Sequence, residues 1–352
     1  MANPLAQWSS GFIEFARAQS TPAIIYDLPK LQRTAAYLLG LCSPFRSECH
    51  FAVKANRSPI ILKQFATCGF GVDVASLQEV EVARAVGHSR IVATSPGLDV
   101  PTIGLISELG GTVFFDGIEQ ARAASAAGYN LVNHGVRVSM QGCYHRFGLT
   151  PQEIESLWKD MGWAPRKFHF HYGEIETLYD LAKLLEQVAR ILDSFEADVI
   201  DLGGGYGVLS NNQEMLKNGF SMIADFAASR RVCVAFEFGK VAIARCALLL
   251  TSVLSRKLRG DSQLLFVDAS AYNLGTLERR SLLKWKGDGS DDILTTVAGP
   301  TCYEHDIFVE EIPAPPIIVG ETIAFGLCGA YSTSVASSLH GLQVPREVYF
   351  GL

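Results

Sequence analysis

Short runs of β-branched and aromatic residues recur along the first two thirds of the chain, with more polar segments between them. The runs are Cys49–Asn56 (CHFAVKAN), Gly69–Val74 (GFGVDV), Ile91–Pro96 (IVATSP) and Thr112–Gly117 (TVFFDG). They continue with Val132–Met140 (VNHGVRVSM), Lys167–Gly173 (KFHFHYG), Val199–Gly205 (VIDLGGG) and Val232–Lys240 (VCVAFEFGK). The intervening segments carry apolar residues near the helical period; Ser76–Val86 has them at 77, 80, 82, 83 and 86. Ser76 with Glu79 three positions on predicts a capping box at the start of that helix. Eight strands alternating with helices are the requirement of a (β/α)8 barrel, although a doubly wound open sheet shows the same alternation. After about residue 240 the texture changes to consecutive strand-like runs (ARCALLLTSVL, SQLLFVDAS, DDILTTVAG, PPIIVGETIAF, REVYF) with little helical pattern. That pattern predicts an all-β second domain.

Composition narrows the function. The chain has 352 residues, 48% hydrophobic and 19% charged, enough to bury a large core and incompatible with intrinsic disorder. Lys and Arg total 30 against 36 Asp and Glu, and no basic block stands out, so nucleic acid is excluded as the main partner. The eight cysteines contain no CxxC pair, which argues against a zinc ribbon or a thioredoxin-like site. The N-terminal stretch lacks a basic region followed by an apolar core, and the most apolar segment, Ala242–Leu254, contains Arg245 and is too short to span a bilayer. A reduced, cytoplasmic protein without a membrane segment is expected.

Functional residues of a barrel sit at the C-terminal ends of its strands. Lys54 closes the run CHFAV, where desolvation favours a neutral, nucleophilic amine, although most strand-end lysines are simply solvated. Gly203, Gly204 and Gly205 follow the strand VIDL and allow backbone N–H groups to approach an anion closely. No GK[ST] follows, so this is not a Walker A loop, and its glycine spacing does not suit a dinucleotide fingerprint. In FHFHYGE, His169 and His171 lie two residues apart, as a metal pair lacking an evident third ligand or as a ring stacked on a planar ligand. Glu237 in FEFGK can face a protonated ring nitrogen or a neighbouring cation. GPTCYEHD presents Cys302 as an acid, a nucleophile or inert packing, and GAYSTS presents Tyr331 as a donor to an anion.

Taken in order, TPAIIYD, FAVKAN, GFGVDVASLQEVEVA, RFGL, FHYG, DLGGGYG, EFGK, GPTCYEHD and GAYSTS resemble the fold type III pyridoxal-phosphate decarboxylases of ornithine, diaminopimelate and arginine. The resemblance covers nearly the whole chain. It implies an alanine racemase-like α/β architecture, a (β/α)8 barrel of residues 25–235 and a β domain from residues 1–24 and 236–352. It implies pyridoxal 5'-phosphate as cofactor and Lys54 as the lysine bonded to it. His171 matches the histidine stacked on the pyridine ring, and Glu237 the carboxylate that keeps the ring nitrogen protonated. Asp73, Gly203, Gly204, Gly205, Lys240 and Tyr331 fall at further cofactor-binding positions. Cys302 matches the cysteine that returns a proton to the product. The family's head-to-tail homodimers share sites, which implies that Cys302 and Asp306 serve the partner's cofactor.

Departures from the pattern bear on substrate. The family's phosphate-binding serine is replaced by Glu174, a like charge, and EPGR is replaced by EFGK, so Lys240 offers a point charge instead of the arginine fork. The acid that follows the cysteine and reads a distal amine is replaced by Tyr303, with Glu304 next. The segment YNLGTLERRSLLKW loosely resembles the family's substrate-binding stretch, which implies Arg279 or Arg280 as a partner for a substrate carboxylate. The expected reaction is decarboxylation of an amino-acid-type small molecule without a simple distal ammonium, such as a siderophore intermediate or a carrier-linked aminocarboxypropyl group. A diaminopimelate- or ornithine-type decarboxylase using Glu304 is the alternative. A racemase on the same barrel would not need GPTC, and a catalytically inactive partner-binding homologue would not need Lys54, His171, Glu237 and Cys302 together.

Overall fold

The computed structural model describes residues 8–140, 146–274, 281–283 and 292–352. The chain forms two compact units, with boundaries at Leu31/Gln32 and Ala242/Ile243. Strand β1 (Ala23–Asp27) belongs to the sheet unit. The eight barrel strands follow as β2 (Ser47–Ala52), β3 (Gly71–Val74), β4 (Ile91–Ala93), β5 (Thr112–Phe115), β6 (Gly135–Arg137), β7 (Lys167–His169), β8 (Val199–Asp201) and β9 (Cys233–Phe238). All neighbours are parallel, and β2 pairs with β9 from Ser47↔Val234 to Phe51↔Phe238, closing the ring. Closure excludes the open doubly wound sheet. The strands are shorter than the apolar runs because the chain leaves the sheet just where the chemistry-bearing residues begin. CHFAVKAN, for example, pairs only to Ala52, and Val53–Ala55 form a single 3-10 turn.

Buried phenylalanines fill the barrel wall, with the rings of Phe51 and Phe65 stacked at 4.0 Å and those of Phe236 and Phe238 at 5.2 Å. Each such ring contributes about 1.5–3 kcal/mol by leaving water. The helix predicted after Ser76 runs Leu77–Ala85, with the Ser76 hydroxyl accepting from the Glu79 N–H. Only half of the expected box forms, because the Glu79 carboxylate accepts from the Ala75 N–H at 2.7 Å.

In the sheet unit β10 (Ala247–Arg259), β11 (Ser262–Val267), β12 (Ser281–Leu283), β13 (Ile293–Ala298), β14 (Ile307–Ala314), β15 (Thr322–Gly326) and β16 (Arg346–Phe350) join β1. Thirteen-residue β10 is the spine: its apolar first half pairs with β1 and β15, its polar second half with β11. The N-terminal helix Ser10–Arg17 buries Phe12 and Ala16 against Ile25, Leu248, Leu250 and Ala324. Strands β12 and β14 lie outside the expected runs. Among the described residues, no helix is long and apolar enough to cross a membrane.

One core histidine gives a direct test of the barrel packing. His134 is 1% exposed; its Nδ1 accepts from the Val113 N–H at 3.1 Å and its Nε2 lies 2.9 Å from the Ser107 hydroxyl. Burial, assisted by the Lys167 ammonium, holds this imidazole down at about 4. An unfolded chain binds the proton near 6.5, so the stability that neutral His134 provides is present above that pH and lost as pH falls toward 4. Between pH 7 and pH 5 the stability gap between the native chain and His134→Gln should close by about 2 kcal/mol in urea titrations. A gap that does not change with pH would show that His134 takes its proton equally well in the folded state.

Candidate active site

The C-terminal ends of the barrel strands carry a ring of polar side chains in an otherwise apolar interior. Strands β6, β7 and β8 read GVR, KFH and VID, and each ends on a polar residue. Pairing places Arg137 beside His169 and His169 beside Asp201. On the opposite side of the closure Asp73 of β3 pairs in register with Ala52, two residues before Lys54. Glu237 of β9 lies beside His50 of β2.

Lys54 reaches Asp73, with Nζ and Oδ2 separated by 3.1 Å; the lysine side chain is 48% exposed and the acid 2%. Burial, with the negative Glu237 nearby, pushes the Asp73 carboxyl up to about 7 against the opposing pull of Lys54. His169, Asp201 and Glu237 are buried and present ligand atoms all within 4.8 Å of one another. The His169 Nε2 to Glu237 Oε1 separation of 3.4 Å is that of an ion pair, yet neither atom attains hydrogen-bond geometry. Burial would raise Glu237, but the surrounding His169, Lys54 and His171 outweigh it and hold this carboxyl below the usual range. Burial and the Glu237 charge drive the Asp201 carboxyl in the other direction, well above the usual range. Its Oδ1 accepts from the Gly203 N–H at 2.8 Å.

His171 lies just beyond the end of β7, not on the strand with His169, but the two rings remain parallel within 6° at 6.3 Å. Burial, with His169 adding to it, holds His171 down at about 4, a neutral ring. The glycine loop packs directly on this group. A Cβ at Gly203 would come 2.7 Å from His171 Nδ1, one at Gly204 2.8 Å from the Glu237 carbonyl oxygen, and one at Gly205 would overlap the Gly173 carbonyl. Glycine is therefore required at all three positions by close approach, and Gly203 and Gly205 also adopt φ of +63° and +93°. The Gly203 N–H is taken by Asp201, whereas the Gly204 and Gly205 N–H groups have no acceptor among the described residues. Lys240, directly after β9 and Gly239, pairs with Glu174 at 3.1 Å.

The other expected residues belong to the sheet unit. Cys302 is exposed. Asp306 is 2% exposed, and its carboxylate accepts from the Ala271 N–H at 2.8 Å and the Thr301 hydroxyl at 2.7 Å. One oxygen thus ties the 299–306 turn to Ala271 and the other holds Thr301 within it. Tyr303 is half exposed and meets Tyr272 edge-on at 5.0 Å, while the Glu304 side chain is 85% exposed beside His305. Tyr331 adopts φ +53° in a loop where a Cβ at Gly329 would overlap the Ile243 carbonyl. Arg279 and Arg280 lie outside the described residues. Three further polar groups of the barrel mouth were not singled out by sequence: Asp201 and the buried Arg137–Asp116 pair at 3.3 Å. The recurrence of a polar residue at the ends of GVR and VID is the signal that marks two of them.

Comparison with known proteins identifies the family of the chain. Residues 23–329 match the family model described as "Pyridoxal-dependent decarboxylase, C-terminal sheet domain". The chain is 25% identical to a diaminopimelate decarboxylase of Bacteroides thetaiotaomicron over 95% of its length and 96% of that protein's. It is 24% identical to a lysine/ornithine decarboxylase of Selenomonas ruminantium, covering 95% and 91%. Among solved structures, the Paramecium bursaria Chlorella virus arginine decarboxylase bound to agmatine superposes with a TM-score of 0.83 at 18% identity, covering 96% of this chain and 99% of that one. The Helicobacter pylori diaminopimelate decarboxylase complexed with L-lysine gives 0.83 at 21%, covering 96% and 94%. The closed parallel barrel, the separate sheet unit and a family match across most of the sequence lead to one conclusion: the chain belongs to the pyridoxal-dependent decarboxylases of fold type III and is an amino acid decarboxylase that uses pyridoxal phosphate.

Proposed function

We propose that the chain removes the α-carboxylate from an amino-acid centre borne on a group that has no free distal ammonium. The barrel mouth fits the cofactor on three counts. Glu237 Oε1 is a buried, unpartnered acceptor suited to a pyridine N–H. The unused Gly204 and Gly205 N–H groups suit a phosphate. Lys54 is an amine at a strand end, held in place by Asp73. When bound, the cofactor supplies an electron sink for the pair left at Cα as CO2 departs.

The side chains divide the remaining work. Glu237, kept ionised, favours the protonated ring nitrogen opposite it. His171, kept neutral, offers a flat face beside the ring without repelling its positive charge. Asp73 orients Lys54 and, with its carboxyl near 7, is able to take a proton from the amine at neutral pH. Cys302 of one protomer supplies the proton at Cα in its partner's barrel, which makes the working form a homodimer.

The observation that carries the substrate class is the state of the carboxylates in the 303–306 turn. A free distal ammonium needs a carboxylate facing it. Asp306 already accepts from Ala271 and Thr301, the Glu304 side chain is 85% exposed beside His305, and the position after Cys302 is Tyr303. A siderophore intermediate or a carrier-linked aminocarboxypropyl group has its distal nitrogen acylated or lacks one. The full-length similarity to diaminopimelate decarboxylases favours a second reading, in which Glu304 turns to meet a distal amine.

Three experiments test these roles. Borohydride treatment of the pyridoxal-phosphate complex should fix the cofactor to the Lys54 peptide, and Lys54→Ala should lose both the trapped adduct and the visible band. A chromophore unchanged in that variant would remove Lys54 from the assignment. Release of CO2 should be at least roughly tenfold faster, in kcat/KM, from Nω-acylated L-diamino acids than from free ornithine, lysine or diaminopimelate, a difference of about 1.4 kcal/mol. The reverse order would establish the diaminopimelate- or ornithine-type reading, and no release from any substrate would establish the inactive homologue. Finally, mixing inactive Lys54→Ala with inactive Cys302→Ala should restore roughly a quarter of native activity, since half of randomly formed twofold dimers hold one intact site. No recovery in verified mixed dimers would place each site within a single protomer.

A further inference from the structure

The glycine loop contains an anion of the protein's own. The Glu174 Oε1 accepts from the Val208 N–H at 2.7 Å, and its Oε2 lies 3.1 Å from the Lys240 ammonium. The two side chains are 30% and 33% exposed. Between them passes Gly207, where a Cβ would sit 2.6 Å from Lys240 Cδ and 2.9 Å from Glu174 Oε1. The acid is tied to the loop by more than charge, because the Ile175 N–H donates to the Gly205 carbonyl at 2.7 Å. Glu174 therefore sits on the same rigid rim as the two unused amides of Gly204 and Gly205. It takes up one backbone donor, Val208, and pairs with one cation, Lys240, on that rim.

We infer that Glu174 is a built-in competitor for the phosphate, so that the cofactor is held mainly through its ring and aldehyde ends and exchanges readily with solution. The inference rests on the cofactor assignment above. A phosphate dianion entering this loop meets a cation already neutralised and a carboxylate of like sign within the same cluster. It gains the two glycine amides but must displace Glu174 from Lys240 to gain the charge. Pyridoxal, which lacks the phosphate, escapes that cost. The native chain should thus discriminate weakly between pyridoxal phosphate and pyridoxal.

Equilibrium dialysis of the full-length apoprotein against each compound measures the effect directly. Glu174→Gln keeps an acceptor for Val208 and removes only the charge. It should tighten pyridoxal phosphate about tenfold at low salt while leaving pyridoxal unchanged, and added salt should shrink the difference. Lys240→Met should cost less in the native background than in the Glu174→Gln background, because only in the latter has the ammonium lost its ion pair with Glu174. Glu174→Ser, which removes both interactions, should shift the ratio of the two dissociation constants in the same direction, and it serves if the Gln variant does not fold. A ratio that is unchanged or lower in the charge-free variants overturns the inference, as does an equal shift for both compounds. If the native chain binds neither compound in a Lys54-dependent way, the cofactor assignment itself falls and the inference falls with it. Binding with an unshifted ratio removes the inference alone.

Discussion

The barrel mouth depends on the cost of burying carboxylates. Asp73, Asp201 and Glu237 are all at most 3% exposed, and their strands are joined through the closure of the barrel. Three ionised carboxylates in such a space would repel one another and lose their hydration. The structure resolves the conflict by making them unequal. His169 and Lys54 converge on Glu237 and keep it charged, and that charge in turn helps to push Asp201 and Asp73 upward. One anion is selected by its neighbours, and the other two act as neutral or nearly neutral groups that position a backbone amide and a lysine. Pairs of titratable groups pushed apart in this way are the mark of assigned acid and base roles.

That selection requires closure of the sheet. Glu237 lies on the last barrel strand and Lys54 follows the first, and only the β2–β9 pairing brings their strand ends together. The glycine loop then leaves no room for relaxation, since side chains at Gly203, Gly204 or Gly205 would collide with His171, Glu237 or Gly173. Each glycine is fixed by a different neighbour, and those neighbours lie on or next to other strands of the same mouth. The loop is thereby both a wall for the buried acids and a frame for the two amides that have no acceptor among the described residues. Binding and catalysis thus share one packing arrangement.

Much of this was legible in the chain. The eight barrel strands follow from apolar runs, and Lys54 and Glu237 stand out because each closes one of them. What was not legible is set by pairing across the sheet. His169 was visible as a histidine, but its partner Glu237 lies 68 positions away, two strands further round the barrel. Arg137 and Asp116 meet for the same reason, through β5–β6 pairing that periodicity does not encode. Strand β14 escaped because IFVEEIPA is largely solvent-facing and places adjacent acids where alternation is expected. Strand β1 is a clear apolar run, but its parallel union with β16 joins opposite ends of the chain.

The departures from the family pattern take on meaning through the same reasoning. Read singly, Glu174 in place of a serine is a misplaced charge and Lys240 in place of an arginine a weakened donor. Placed 3.1 Å apart across Gly207, they form one unit that carries no net charge. An arginine fork would hold a carboxylate and retain further donors for a phosphate, whereas a lysine ammonium committed to Glu174 offers the phosphate less. The two replacements therefore act together on a single property, the strength of the anion anchor. In the proposed reading Tyr303 and the engaged Asp306 act likewise on another, the lack of a carboxylate for a distal ammonium. On the function proposed above, both changes weaken the electrostatic hold on the ends of the bound molecules while Lys54, His171 and Glu237 remain in the barrel mouth. Such a site keeps the chemistry of its family and relaxes what the chemistry is attached to.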